Sequence, residues 1–235
     1  MIRKCPPHAT DQILSIANAG SQAPTPTEAE LTHALRPWQA VLDAATPDGI
    51  PLTKAGWMAP AACEKIWHES GLAWPYGKGN REQNTPELSK IRQVCTQGKL
   101  IRKHKDALVL TPLGRKAASD QTVLAKAAAA SLVMCPDDFD SDVCALTMLA
   151  LAAGFTEEGS EPLTRLHPLG DEIARLMSTL GWRVGTGLVE RGDLGRAYYQ
   201  LIDMMQAGSE GEGRNYGLPQ GGGVRHLARL AVLAS

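Results

Sequence analysis

Aromatic side chains are scarce in this chain. Phe, Trp and Tyr together make up 5% of 235 residues, and only two of them are Phe, so the core has to be assembled mainly from Leu, Ala, Val, Ile and Met. Cysteine is present but unpaired in pattern. The five cysteines, at 5, 63, 95, 135 and 144, include no CxxC pair, which argues against a disulfide framework and against a zinc knuckle. Cys5-Pro-Pro-His8 has ligand-like spacing, yet two prolines intervene and no second pair lies nearby. Cys63, Cys95 and Cys144 fall on apolar helix faces, where a buried thiol is the expected reading. Long hydrophobic runs are missing too. The longest, VCALTMLALAAGF at 143–155, is too short to span a bilayer. The apolar stretch after the basic start MIRK is broken by Asp11, Gln12 and Asn18. A membrane partner is therefore not expected, and a cytoplasmic location is the default.

Catalytic signatures are equally absent. GKGNRE (77–82) lacks the glycine spacing and the Lys-Ser/Thr of a phosphate loop, and QGGGVR near the C-terminus lacks a preceding Rossmann strand. Asp137, Asp138, Asp140 and Asp142 look like half of a calcium loop, but the central Gly and terminal Glu are missing and an apolar helix follows directly. An acidic N-terminal cap on that helix explains them better. The six His are dispersed with no HxxxH pair, and no GxSxG occurs. No catalytic residue, cofactor or metal site is expected, and the chain reads as a non-enzyme.

The formal net charge of −1 conceals an asymmetry. Residues 51–116 carry twelve Lys/Arg against five Asp/Glu, whereas 117–235 carry nine against fifteen and 1–50 three against five. A basic middle between acidic ends offers one surface to polyanions, or else draws two halves of the molecule together.

Punctuation residues divide the chain into elements. A helix is expected over roughly 9–19, ending at Gly20. Thr27 with Glu30 forms a capping box for the next, which runs through Leu31, Leu35, Trp38 and Leu42 and meets Pro37 inside its pattern. PDGIPLTKAGWMAP marks turns around a short extended piece at Ile50–Thr53. A helix at 60–70 is stopped by Gly71. Thr85-Pro86-Glu87 then starts another, with Leu88, Ile91, Val94 and Cys95 at helical spacing and Gly98 as its stop. Beyond Gly98 the period becomes extended: KLIRKH and ALVLT are short strands separated by Lys105-Asp106, and a helix follows Thr111-Pro112.

Helix, strand, helix, helix, strand, turn, strand, helix is the winged helix-turn-helix order, with the third helix as reader and the hairpin as wing. The run TPELSKIRQVCTQGKLIRKHKDALVLTPLGRKA resembles the reader helix and wing of many bacterial winged-helix proteins. Together with LTKAGWMAP and GKGNREQN, it also resembles a poorly characterised actinobacterial group similar to the plasmid ORF-three-like family, over about residues 36–120. That resemblance implies the fold and brings no established activity or catalytic residues.

A second copy is expected downstream. PWQAVLDAATPDG is echoed by DVCALTMLALAAG, ACEKIWHESGLAW by EIARLMSTLGWRV, SKIRQVCTQG by YQLIDMMQAG, and LVLTPLGRKA by YGLPQGGGVRHLARLA, all in the same order. The expected fold is mainly α with short β-hairpins: an N-terminal helical segment (1–35), a winged-helix module (36–120), a linker helix (121–136) and a degenerate second winged-helix-like module (137–235). The second reader helix, about 193–207, would expose Asp203 and Gln206 instead of bases, and its wing would be the glycine-rich 209–223.

The basic features of the first module form the candidate site. Arg102, Lys103 and Lys105 lie on the wing with Lys99 and His104, and Arg115 with Lys116 starts the next helix. Lys78 and Arg81 precede the reader helix, on whose exposed side Lys90, Arg92 and Gln93 are expected. Basic side chains and wing amides suit phosphate oxygens, and reader-helix side chains reach base edges. Trp74 and Tyr76, before the reader helix, are candidates for base stacking; the other tryptophans read as core. The expectation is a DNA-binding or regulatory protein contacting double-stranded DNA. The competing reading is a protein-interaction scaffold that binds itself or another protein, with the wing lysines only protecting a strand edge. A basic surface left open favours the first; one covered by the acidic half favours the second.

Overall fold

The computed structural model describes residues 7–21, 25–72, 80–135, 137–155, 166–208, 219 and 221–234, apart from the side chains of 7–9 and 166–168. The chain is mainly helical with one small three-stranded antiparallel sheet. Its first half runs α1 (Pro7–Ser21), α2 (Glu28–Ala44), β1 (Ile50–Pro51), α3 (Pro60–Ser70), α4 (Pro86–Gln97), β2 (Ile101–His104), β3 (Ala107–Leu110) and α5 (Pro112–Ala117). Then come α6 (Gln121–Leu132), α7 (Asp138–Ala152), α8 (Leu166–Thr179), α9 (Gly195–Ala207) and α10 (Gly222–Ala234).

Local chemistry accounts for most boundaries. Thr27 and Glu30 close their reciprocal capping box, with the Thr27 amide donating to Glu30 Oε2 at 2.7 Å. Glu30 Oε1 also accepts from the Gly222 amide at 3.2 Å, so one carboxylate serves the starts of both α2 and α10. Pro37 sits buried within a single helix, not between two. Gly71, at φ 75°, ends α3 in the left-handed conformation that glycine adopts without steric cost. Asp137 caps α7 by accepting from the Asp140 amide at 2.8 Å, so the acidic run is a helix cap.

Two local readings are corrected. Thr85 precedes α4 but does not cap it with its side chain; its hydroxyl donates back to the Arg81 carbonyl at 3.1 Å. Gly20 does not stop α1, which runs on to Ser21. A Cβ there would lie 3.2 Å from the Ala152 Cβ, so this glycine serves a close approach between α1 and α7.

In the sheet β3 is central, with β1 and β2 on either side. Ile101 pairs with Leu110 and His104 with Ala107, leaving the two-residue turn Lys105–Asp106. β1 adds Ile50 opposite Leu108. Ile50, Leu108 and Ile101 are buried and root the sheet in the core.

The second half has helices where the echoes put them: α7, α8, α9 and α10 follow one another as α2, α3, α4 and α5 do. Among the described residues it contains no strand, only an isolated bridge between Val184 and Gly187. Most of the segment expected as a second wing, 209–218 and 220, lies outside the described residues. Both halves share one continuous apolar core. α7 is buried at every position from Val143 to Ala152 and packs against α1, α8, α9 and α10. α6 lies against α2, α4, α5 and α10. Among the described residues no helix is long and apolar enough to cross a membrane.

Candidate nucleic-acid interface

The β2–β3 hairpin projects from this core. After Ile101 the strand alternation ends: Arg102, Lys103, His104, Lys105 and Asp106 are all exposed, on both faces of the ribbon. The hairpin is held at its base by α4 and α5. Thr111 does two tasks there, accepting from the Gly114 amide at 2.9 Å to cap α5 and donating to the Lys99 carbonyl. Lys99 and Lys105 both have positive φ, 55° and 53°, so each cation is presented from a left-handed backbone corner. Exposed Arg115 donates to the Leu110 carbonyl at 3.1 Å, which fixes its guanidinium beside the end of β3. Lys116 is exposed next to it.

Among the described residues the ion pairs are Arg92–Glu82, Arg175–Glu172 and Arg191–Asp171, so none involves a wing base. Among the described residues, the acidic half does not lie over the hairpin. Its α9 and α10 pack on α2, α4 and α6, on the core side of the first half. Among the described residues the basic surface is open.

The reader-helix candidate α4 differs from expectation. Lys90 is not on the exposed side; it is only 5% exposed. α6 and α9 cover the flank of α4 from which it projects, and its charge is felt at Cys135, Asp140 and Cys144. Arg92 is half-buried and engaged internally. Its Nη1 donates to both Glu82 carboxylate oxygens, at 3.0 and 2.9 Å, and to the Gly56 carbonyl at 3.0 Å. Glu82, buried, also accepts from the Met58 amide at 2.7 Å. This cluster pins the 53–58 turn to α4, so Arg92 holds the module together. Gln93 is exposed as expected, with Pro86 and Thr96 along the same helix, and Arg81 is exposed just before it. Lys78, Trp74 and Tyr76 lie outside the described residues.

The pinned turn corrects the reading of Trp57 as core and supplies Lys54, which the pattern reading left out. Lys54 and Trp57 are exposed there, Trp57 at 40%, beside the carbonyl that Arg92 grips. The proline and glycine punctuation of PLTKAGWMAP was the available signal; it located the turn but not its attachment to α4.

Elsewhere an open groove of about 920 Å³ lies beside α8, where Arg175, Arg183 and Arg191 alternate with Asp171 and Glu190. Its lining has neither His nor Cys, and Arg191 lies 3.9 Å from Asp171. Among the described residues no three His, Cys, Asp or Glu side chains gather as a metal site would require. No protein-family model matches the chain, and searches of curated proteins and of solved structures return no match.

Proposed function

We propose that residues 36–120 form a winged-helix module that binds duplex nucleic acid mainly through its wing. The observation carrying this reading is the exposed run Arg102–Lys105, without an ion pair among the described residues and extended by Lys99, Arg115 and Lys116. The element order and the β1-β3-β2 sheet support the module, and the order of α7–α10 supports a degenerate second copy. Concentrated unpaired cations on a protruding ribbon release condensed counterions when they meet phosphates, and that release drives association. With Lys90 buried and Arg92 engaged by Glu82, α4 offers Gln93 and Thr96 for base contact and no free cation among its described residues. Backbone contact thus outweighs base readout, and binding is weakly selective for sequence.

The test is fluorescence anisotropy of a labelled random duplex across a salt series. Each phosphate neutralised contributes about 0.9 to the slope of log affinity against log salt. Arg102→Ala with Lys103→Ala is expected to weaken binding to every sequence and to lower that slope by about 2. An unchanged slope removes the wing from the interface. No binding by the unaltered protein at low salt rejects nucleic acid altogether and leaves the protein-interaction reading.

A further inference from the structure

A second chemically competent place lies where the two halves meet. Cys135 follows α6, Cys144 sits in the second turn of α7, and their sulfurs are 3.5 Å apart. Cys144 is fully buried, whereas Cys135 is partly exposed, so one sulfur is reachable from solvent and the other lies behind it. Lys90 of α4 is buried beside them, and among the described residues its ammonium makes no ion pair. The other charged groups acting there are Asp137 and Asp140 at the start of α7. Cys63 and Cys95 differ: each is buried, and among the described residues neither has a second sulfur in hydrogen-bond range.

We infer that Cys135 and Cys144 form a dithiol site at which a hydroperoxide oxidises Cys135 and Cys144 resolves it to a disulfide. A buried cation beside a half-exposed sulfur, with a neighbouring thiol to donate a hydrogen bond, stabilises a thiolate at Cys135. Accordingly the hydrogen bond from Cys144 and the Lys90 charge hold the Cys135 thiol below its ordinary value, against burial and the two aspartates. The same hydrogen bond and burial push Cys144 up, which keeps it the proton-bearing partner. Burial alone pushes Cys95 well above its usual value, so it stays inert.

The steps balance. The Cys135 thiolate attacks one peroxide oxygen, the O–O bond breaks, and the other oxygen leaves as an alcohol, or as water from hydrogen peroxide. Cys135 becomes a sulfenic acid. The Cys144 sulfur then attacks the sulfenyl sulfur, its proton leaves with the departing hydroxide as water, and the S–S bond forms. Two thiols are oxidised by two electrons, and one peroxide is reduced. The short path between the sulfurs makes resolution faster than further oxidation.

This site does not depend on nucleic-acid binding and is tested without it. No Lys or Arg occurs between Lys126 and Arg165, so a tryptic peptide spanning 127–165 contains Cys135 and Cys144 and no other cysteine. The reduced full-length protein is treated with stoichiometric hydrogen peroxide, alkylated, digested and weighed. The expected product is that peptide lighter by two hydrogens and unalkylated, with the Cys63 and Cys95 peptides fully alkylated. Cys144→Ser should instead trap a sulfenic acid on Cys135 that reacts with a cyclic 1,3-diketone. Lys90→Met should move the pH midpoint of Cys135 alkylation upward. A doubly alkylated peptide after a dose that fully oxidises glutathione overturns the proposal. Equal oxidation of Cys63 and Cys95 overturns it as well, because reactivity would then come from unfolding.

Discussion

α4 in the first half and α9 in the second spend their surfaces differently. α4 buries Leu88, Lys90, Ile91, Val94 and Cys95 and keeps a polar strip through Pro86, Gln93 and Thr96. α9 buries Ala197, Tyr198, Leu201, Ile202, Met204, Met205 and Ala207, packing on α7, α4 and α2. α9 is thus mostly core, whereas α4 keeps an open polar strip with an exposed hairpin beside it. The first half thus presents a surface that the second half braces. The described carboxylates of the second half have varied tasks: Asp137 caps α7, Glu172 and Asp171 pair with arginines, and Asp203 faces Glu87 of α4.

The largest expected effect of separating these roles comes from the Arg92–Glu82 cluster. Arg92 was counted among the nucleic-acid contacts, but its partner carboxylate is nearly inaccessible, with side-chain exposures of 22% for Arg92 and 2% for Glu82. Removing one member of such a pair leaves an uncompensated charge. Arg92→Ala should cost about 2–4 kcal/mol in denaturant unfolding, the lower figure reflecting partial solvation of the guanidinium. Its effect on the salt dependence of duplex binding should be small compared with that of Arg102→Ala. A stable Arg92→Ala protein with a reduced salt slope would return Arg92 to the interface and break the distinction between bracing and contacting bases.

The first half was legible because its boundaries are written in short-range chemistry. Thr27 with Glu30, Gly71, Pro86 and Thr111-Pro112 act on neighbours within one turn, and the change from helical to extended period after Gly98 marks the hairpin. Lys90 was not legible. Leu88, Ile91 and Cys95 define one face, and a lysine at its edge reads as solvated unless something else covers that flank. What covers it is α6 and α9, and α9 arrives from more than a hundred residues along the chain. Asp203 was misplaced for the same reason. It was expected on an exposed face and lies half-buried, facing Glu87 of α4. The cysteine pair carried no pattern either, since a spacing of nine positions is no motif; only the path of the chain from the end of α6 into α7 joins the sulfurs.

Asp203 supplies the next effect. Burial, helped by the nearby Glu87 carboxylate, pushes its carboxyl up to about 6 from 3.8. Between those values the folded state binds more protons than the unfolded state, so stability falls as pH rises through the window and is level above it. Asp203→Asn removes the penalty at neutral pH. Allowing for residual solvation, unfolding at pH 7.5 should become harder by about 2 kcal/mol, with little change at pH 4. A gain of equal size at both pH values would mean that the carboxylate is not desolvated by α4, and the bracing contact would need another account.

The smallest effect distinguishes the wing's shape from its charge. Lys105 holds φ 53° at the hairpin tip, a conformation that costs an L-residue about 1 kcal/mol relative to glycine. Natural hairpins usually place Gly or Asn at such a corner. Lys105→Gly should therefore stabilise the protein by up to about 1 kcal/mol while removing one cation, and lower the salt slope by about 0.9 if Lys105 touches a phosphate. Lys105→Asn removes the same charge with a smaller backbone gain. Matching losses of slope in both variants, with unequal stability, would show that the lysine is retained at a strained corner for its charge. An unaltered slope in both would make the lysine an edge-protecting residue and confine phosphate contact to Arg102 and Lys103.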